Sequence, residues 1–241
     1  MIKHGPGNRA IIKRMNFPLN GLELYLPLGY PELSGSTITS KDLNAISCTV
    51  TGATHTPPTH RIFDGTDDYI DLGDVAALEL EDWTIALWVQ MSAVGAWQTI
   101  FSLQHQSAGA HGECGTNLRF SNTNTLQALV YVGTNSGKSA ASVVTFSQDT
   151  WYFVMATKVG TALDVYRNGG ASLKNTVLST ATMDYTTDVS KKTVFGATWS
   201  SASSSYGADF TGFQGEGWVY NRGLSVAEGA RIYRMTKWRY V

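Results

Sequence analysis

A dense run of acidic residues offers the clearest ligand chemistry in the sequence. Positions 64–82 contain eight carboxylates and no base. Calcium and other hard cations prefer carboxylate and carbonyl oxygens, so acids without compensating bases favour a cation site. A turn capped by Asp64, with Gly65 at a positive φ, explains part of the run without a metal. Both interpretations stand at this point. The acids are Asp64, Asp67, Asp68, Asp71, Asp74, Glu79, Glu81 and Asp82.

The sequence lacks the residue patterns of two common hydrolase classes. Retaining glucanases carry Glu-x-Asp-x-x-Glu on one strand, because the nucleophile and the acid/base must lie about 5–5.5 Å apart. That pattern is absent, and its nearest approach, Glu79-Leu-Glu81-Asp82, falls in a predicted loop. No Gly-x-Ser-x-Gly nucleophile elbow occurs either. We therefore expect a protein that is not an enzyme.

Three further features match known sites only in part. The glycine-containing segment 133–139 has three residues between its glycines where a phosphate loop has four, and it joins two predicted strands, so we expect a hairpin loop. His105, His111, Glu113 and Cys114 have a spacing that fits no zinc pattern. Cys48 and Cys114 are expected to be buried free thiols, although the sequence does not exclude their pairing.

Aromatic residues beside loops indicate a different kind of site. Exposed rings stack on the faces of sugars, and nearby amides bind the hydroxyl groups. Most aromatic side chains, among them Trp83, Trp88, Trp151 and Trp218, are expected to fill the interior. The remaining candidates for glycan binding are Trp97, Tyr131, Trp199 and Tyr206, together with Asn122 and Asn135.

The elements that must position these residues are strands. In Trp83–Met91, large apolar side chains alternate, so that Trp83, Ile85, Leu87 and Val89 share one face. About a dozen such segments, with turn signals every 8–12 residues or so, are typical of a β-sandwich or jelly roll. The predicted strands span 22–26, 47–51, 69–72, 83–91, 99–103, 117–120, 126–132, 142–146, 151–159, 162–166, 193–195 and 212–220.

One short helix is predicted near the end of the chain. Ser225 and Glu228 form a capping box, and an apolar side follows it. We expect this helix to pack on one edge of the sandwich.

Length and composition agree with one all-β domain. The chain has 241 residues, 43% of them apolar and 15% charged, which excludes a disordered chain. No apolar run is long enough to span a membrane. The net charge of −1 gives no reason to expect nucleic acid as a partner.

The two ends of the chain are basic and the body is acidic. Residues 1–20, with four bases and no acid, are predicted to form an arm before a domain at 21–241. A basic arm can dock on acidic surfaces of other subunits, including copies of this chain, and apolar side chains add a component that salt does not weaken. Its proposed contact residues are Lys3, Arg9, Ile11, Ile12, Lys13, Arg14 and Phe17.

Several segments together resemble the laminin-G-like and concanavalin A-like jelly-roll domains. The resemblance spans residues 21–236, and it implies an all-β fold of two antiparallel sheets, one of them concave. Many such domains bind calcium, and the resemblance points to Asp42, Asp64 and Glu216 as ligands. Relatives usually have Ile-Asp-Glu-Val where this chain has Gln214-Gly-Glu216-Gly, which weakens any metal role there. The segments read GLELYLPL at 21–28, DLN at 42–44, FDGTDDYIDLG at 63–73, WTIALWV at 83–89, WYFV at 151–154, LDVYRNG at 163–169 and YNRGLS at 220–225.

The fold leaves three functions open. The leading prediction is a non-catalytic binding and assembly module, a structural surface component of a phage or virus particle such as a capsid decoration or tail protein. The second is a soluble lectin-like carbohydrate-binding domain, for which both a calcium-dependent and a calcium-independent form stay open. The third is a glycan hydrolase or lyase. Because the N-terminus lacks the apolar stretch of a signal peptide, we expect a virion or other extracellular particle, or non-classical secretion.

Overall fold

Two antiparallel eight-stranded sheets, with the main hydrophobic core between them, make up most of the described chain. The computed structural model describes residues 17–106, 113–132, 136–185, 191–200, 203–207 and 209–241. Of the predicted arm contacts, Phe17 lies within these ranges, whereas Lys3, Arg9, Ile11, Ile12, Lys13 and Arg14 lie outside the described residues.

Sheet I has the strand order β14-β13-β12-β7-β18-β5-β4, and β1 pairs with β18 off this path. Its strands are β1 (Leu22–Pro27), β4 (Thr54–Thr56), β5 (His60–Asp64), β7 (Trp83–Met91), β12 (Trp151–Val159), β13 (Ala162–Arg167), β14 (Ser172–Val177) and β18 (Thr211–Tyr220).

Sheet II has the order β11-β10-β9-β8-β15-β6-β3-β2. Its strands are β2 (Thr37–Thr39), β3 (Ser47–Thr51), β6 (Tyr69–Gly73), β8 (Gln98–Gln106), β9 (Cys114–Phe120), β10 (Thr125–Val132), β11 (Ser136–Thr145) and β15 (Lys192–Phe195). A separate hairpin of β16 (Thr198–Ser200) and β17 (Ser205–Gly207) follows β15. This architecture confirms the predicted jelly-roll β-sandwich.

The alternation predicted for β7 is confirmed. Trp83, Ile85, Leu87 and Val89 belong to the core between the sheets. Trp88, on the opposite face of the same strand, belongs to a second apolar cluster. Both faces of β7 are therefore covered, which explains its nearly continuous apolar sequence.

The second cluster is covered by helix α1 (Val226–Thr236), whose predicted capping box is present at Ser225 and Glu228. Ile232 of α1 is fully buried in this cluster, and Trp88 Nε1 donates to Thr236 Oγ1 over 2.8 Å. The helix thus lies on the outer face of sheet I, and its predicted position at a sandwich edge is wrong. The reason is that β7, β12 and β18 carry large aromatic side chains on their outer faces, which need an apolar cover.

All twelve predicted strands are present, and the structure adds β2, β4, β5, β14, β16 and β17. Strand β11 starts at Ser136, before its predicted start, so Gly137, Lys138 and Ser139 lie in a strand rather than in a loop.

Three short 3-10 turns (Pro31–Leu33, Ala76–Leu78 and Lys237–Arg239) complete the described elements. Within the described chain, no helix has the length and apolar character needed to cross a membrane. Cys48 and Cys114 are both buried, and neither forms a disulfide.

Candidate functional site

A cleft of about 390 Å³ lies on the outer face of sheet II, the face that α1 does not cover. Strand alternation creates it: on β9, Leu118 and Phe120 enter the core while Asn117 and Arg119 line the cleft. The β16–β17 hairpin forms the opposite wall. The lining residues are His105, Glu113, Asn117, Arg119, Leu129, Tyr131, Thr198, Ser200, Ser203, Ser205, Tyr206 and Gly207.

The floor of the cleft is a closed hydrogen-bond network. Thr99 Oγ1 and Thr198 Oγ1 are 2.7 Å apart, and Asn117 Nδ2 donates to Thr198 Oγ1 over 2.7 Å. Thr198 belongs to the hairpin, whereas Asn117 belongs to sheet II. The network therefore fixes the hairpin against the sheet and holds a polar surface at the base of the cleft.

One end of the cleft is formed by Tyr131, Glu113 and His105. The Tyr131 hydroxyl donates to Glu113 Oε2, and burial together with this carboxylate raises the pKa of Tyr131. The His105 ring lies 5.9 Å from the Tyr131 ring, and burial followed by the charge of Arg119 lowers the pKa of His105 to about 3. Both side chains are consequently neutral at physiological pH. Because Tyr131 is only 5% exposed, little of its ring faces the cleft.

Tyr206 forms the other aromatic wall and is held firmly in place. Its hydroxyl donates to Asp71 Oδ2 over 2.6 Å, and Lys192 Nζ lies 2.8 Å from both Asp71 Oδ2 and the Tyr206 hydroxyl. The Tyr69 ring stacks on it at 3.7 Å, and Lys192 Nζ sits 4.0 Å from the centre of the Trp199 ring. Burial and the bond to Asp71 raise the pKa of Tyr206, so its hydroxyl stays protonated.

Arg119 connects the cleft to Trp97. The Arg119 guanidinium lies 4.2 Å from the centre of the Trp97 ring, and its Nε donates to Gln127 Oε1 over 2.8 Å. Trp97 is 44% exposed. Trp97 and Tyr206 therefore provide accessible aromatic surface beside a polar floor.

The structure brings together some of the predicted glycan-binding residues. Tyr131 and Tyr206 line the cleft, and Trp97 borders it through Arg119. Trp199 is 7% exposed and packs behind Tyr206 as a support. Asn122 is exposed in the turn that joins β9 to β10 and is not a lining residue. Asn135 lies outside the described residues, as does His111 of the cluster that fitted no zinc pattern.

The sequence-based prediction did not include Asn117 or Arg119. Each is an isolated polar residue on a short strand. Their alternation with Leu118 and Phe120 is the signal that places them on the outer face, but it does not reveal which loop comes to lie opposite.

A second polar group lies between β5 and β6. Oxygen atoms of the Asp64, Asp67 and Asp68 carboxylates are within 4.8 Å of one another. Burial, and then the charges of the neighbouring acids, raise the pKa of Asp68 and of Asp209, whose carboxyl group interacts electrostatically with the same acids. Asp64 Oδ1 also accepts from Thr66 N, and Asp68 Oδ2 from Asp64 N, as expected for a capped turn. This set of oxygens fits a hard cation, which would relieve the repulsion between the acids.

Asp42 and Glu216, the other predicted calcium ligands, have protein partners. Asp42 accepts from the backbone N–H groups of Tyr25 and Asn44, both over 2.8 Å. Glu216 is buried, accepts from the Tyr25 hydroxyl and pairs with Arg239. In the described chain neither joins Asp64 in a cluster of metal-ligating groups. These contacts give both acids a structural role, and their part in metal binding stays a prediction.

Comparisons with known proteins agree with this architecture. A family model described as the concanavalin A-like lectin/glucanases superfamily matches residues 64–228. No curated protein matches the chain.

Solved structures of similar fold share little sequence with the chain. A Trypanosoma rangeli sialidase in complex with sialic acid has a TM-score of 0.64 and 17% identity, over 88% of this chain and 32% of that chain. The Ruminococcus gnavus IT-sialidase CBM40 bound to α2,6 sialyllactose has a TM-score of 0.59 and 14% identity, over 73% of this chain and 97% of that chain. The receptor-binding domain of a botulinum neurotoxin C/D mosaic serotype has a TM-score of 0.67 and 13% identity, over 91% of this chain and 52% of that chain. The chain thus spans about a third of the sialidase, and these similarities show the fold alone.

Proposed function

The chain belongs to the concanavalin A-like lectin/glucanases superfamily, and on that premise we propose that it is a non-catalytic carbohydrate-binding domain. The glycan site is the cleft between sheet II and the β16–β17 hairpin. The observation that carries this proposal is the combination of accessible aromatic rings, Trp97 and Tyr206, with a preorganised polar floor at Asn117 and Thr198. Ligand sites commonly join apolar surface with a few polar groups that are already in place.

The solved structures of similar fold support a glycan as the ligand class. One is a carbohydrate-binding module bound to α2,6 sialyllactose, and it is covered over 97% of its length. Another is the receptor-binding domain of a toxin. The names of both proteins describe binding domains.

The composition of the cleft supports a binding role rather than glycoside hydrolysis. Hydrolysis of a glycosidic bond generally needs two carboxyl groups, about 5–9.5 Å apart. Among the described lining residues, Glu113 is the one carboxylate, and it accepts a hydrogen bond from Tyr131. The raised pKa of Tyr131 also disfavours the phenolate that a tyrosine nucleophile would need.

The proposal is tested by removing the aromatic surface and measuring glycan binding. The wild-type protein is screened on a glycan array, and Kd values for the bound glycans are measured by calorimetry. We expect Tyr206→Ala and Trp97→Ala each to weaken binding about tenfold, a loss of about 1.4 kcal/mol. Trp238→Ala is the matched control, because Trp238 is 71% exposed and lies outside the cleft.

Circular dichroism and thermal unfolding establish that each variant is folded before its affinity is compared. Equal loss of binding in all three variants, or no glycan bound by the wild type, contradicts the proposal.

A further inference from the structure

We infer that the cleft selects glycans that carry a carboxylate group, and that the guanidinium of Arg119 binds this carboxylate. The inference rests on the proposed function, since it names the class of glycan that the same site takes. Its basis is the environment of Arg119, which is a half-buried cation that lines a cleft of ligand size. The contacts of Arg119 leave its two terminal nitrogens available to a ligand.

The contacts of Arg119 orient the guanidinium without neutralising it. Its Nε donates to Gln127 Oε1 over 2.8 Å, and its guanidinium carbon lies over the Trp97 ring. Gln127 is neutral, and Trp97 contributes only its π surface. Within the described chain, the two terminal nitrogens make no hydrogen bond and no ion pair. Arg119 therefore presents two adjacent, fixed donors.

A carboxylate is the ligand group that matches this arrangement. Two parallel N–H groups of a guanidinium bind both oxygens of a carboxylate, which adds geometric specificity to the charge. Burial lowers the pKa of Arg119 by more than the charges of Tyr131 and Glu113 raise it, which means that its charge is partly desolvated and only partly compensated. An anionic ligand would restore the missing partner.

The other charged groups near the cleft leave this role to Arg119. Lys192 is paired with Asp71 at 2.8 Å, so its charge is already balanced. His105 is neutral because its pKa is lowered to about 3. Glu113 accepts a hydrogen bond from Tyr131 and acts on Arg119 through its charge, and it opposes an incoming anion at the Tyr131 end. A ligand carboxylate is therefore directed to Arg119 and away from Glu113.

The test compares glycans that differ only by the acidic group. Kd is measured by calorimetry for α2,6-sialyllactose against lactose, and for a glucuronic acid-terminated against a glucose-terminated disaccharide. We expect wild type to prefer at least one acidic member by tenfold or more, in line with a charge-assisted hydrogen bond. Arg119→Gln should remove this preference, and Arg119→Lys should restore part of it. Glu113→Gln should strengthen acidic binding by removing the like charge.

Arg167→Gln is the matched control, because it removes an arginine outside the cleft. Wild-type binding of neutral glycans with no acidic preference overturns this inference but leaves the proposed function intact. Tighter binding of sulfated lactose than of either carboxylated glycan also overturns it. A protein that binds no glycan of any kind contradicts both the inference and the proposed function.

Discussion

Arg119 and Asn117 show how one short strand contributes both to the core and to the lining of the cleft. Leu118 and Phe120 stabilise the sandwich, while the alternate residues reach the cleft. Tyr131 and Tyr206 were identifiable from sequence because they lie beside loops. Arg119 was not, because its role depends on the pairing of β9 with β8 and β10, which brings it to Trp97 and Gln127. The sequence of β9 alone does not determine which residues of β8 and β10 lie opposite its own.

At the residue scale, His105 leads to a prediction for the pH dependence of stability. Its pKa is about 3 in the folded protein and near 6.5 when exposed, so the unfolded state binds the proton first as pH falls. The contribution of neutral His105 to the free energy of unfolding is complete above about pH 6.5 and is lost as pH falls towards 3. We therefore expect the titration of His105 to make the free energy of unfolding about 2 kcal/mol smaller at pH 5 than at pH 7.

Urea unfolding at pH 7 and pH 5 measures this effect. In His105→Gln the drop in unfolding free energy between the two pH values should be smaller by about that amount. An identical drop in wild type and variant would show that His105 titrates normally.

At the element scale, the predictable strands are those with one or two buried faces. β7, β12 and β18 carry long apolar patterns and were found with nearly correct bounds. β14 has the sequence SLKNTV, lies at the edge of sheet I and has no buried side chain. Its sequence therefore lacks the alternation of apolar and polar residues that predicts a strand. β16 and β17 flank a serine-rich segment, and their pairing depends on the contact of Trp199 with Val194 and Ala197. Tertiary packing, not local preference, makes these strands.

The turn between β5 and β6 gives a prediction for calcium. If Asp64, Asp67 and Asp68 hold the ion, calcium at 100 times its Kd should stabilise the fold by about 2.7 kcal/mol. For a domain of this size that raises Tm by about 5 °C or more. Asp67→Asn should abolish the shift, whereas Asp149→Asn, an exposed acid elsewhere, should retain it.

Scanning calorimetry with calcium and with a chelator makes this comparison. The same Tm under both conditions in the wild-type protein would show that the acidic turn binds no calcium, and the capped-turn interpretation would then be sufficient.

At the scale of the whole molecule, the two outer faces are covered differently. Sheet I is covered by α1 and by aromatic packing, whereas sheet II carries the cleft. Phe17 is 5% exposed and packs against Tyr25 and Trp218 at ring distances of 5.1 and 6.1 Å. The end of the predicted arm is therefore anchored on the sheet I side, on the face away from the cleft. Assembly through the arm and glycan binding would then use different surfaces.

This arrangement makes the assembly prediction testable without damage to the fold. A variant that lacks residues 1–16 retains Phe17, and we expect it to keep its glycan affinity and its Tm. Full-length protein should form a larger particle than this variant in light scattering at low salt, because basic side chains favour docking on acidic surfaces. Equal masses for both proteins at every salt concentration would show that the arm does not mediate self-association.

The attachment of the β16–β17 hairpin also has a consequence for how the cleft tolerates substitutions. It forms its own two-stranded sheet, and it is attached to sheet II by Trp199 and by the hydrogen bonds of Thr198 and Tyr206. The serines near its tip, Ser203 and Ser205, line the cleft but are absent from the hydrophobic core. Substitutions there change the shape of one wall at little cost in stability. We therefore expect this wall of the cleft to tolerate variation while the sandwich beneath it remains unchanged.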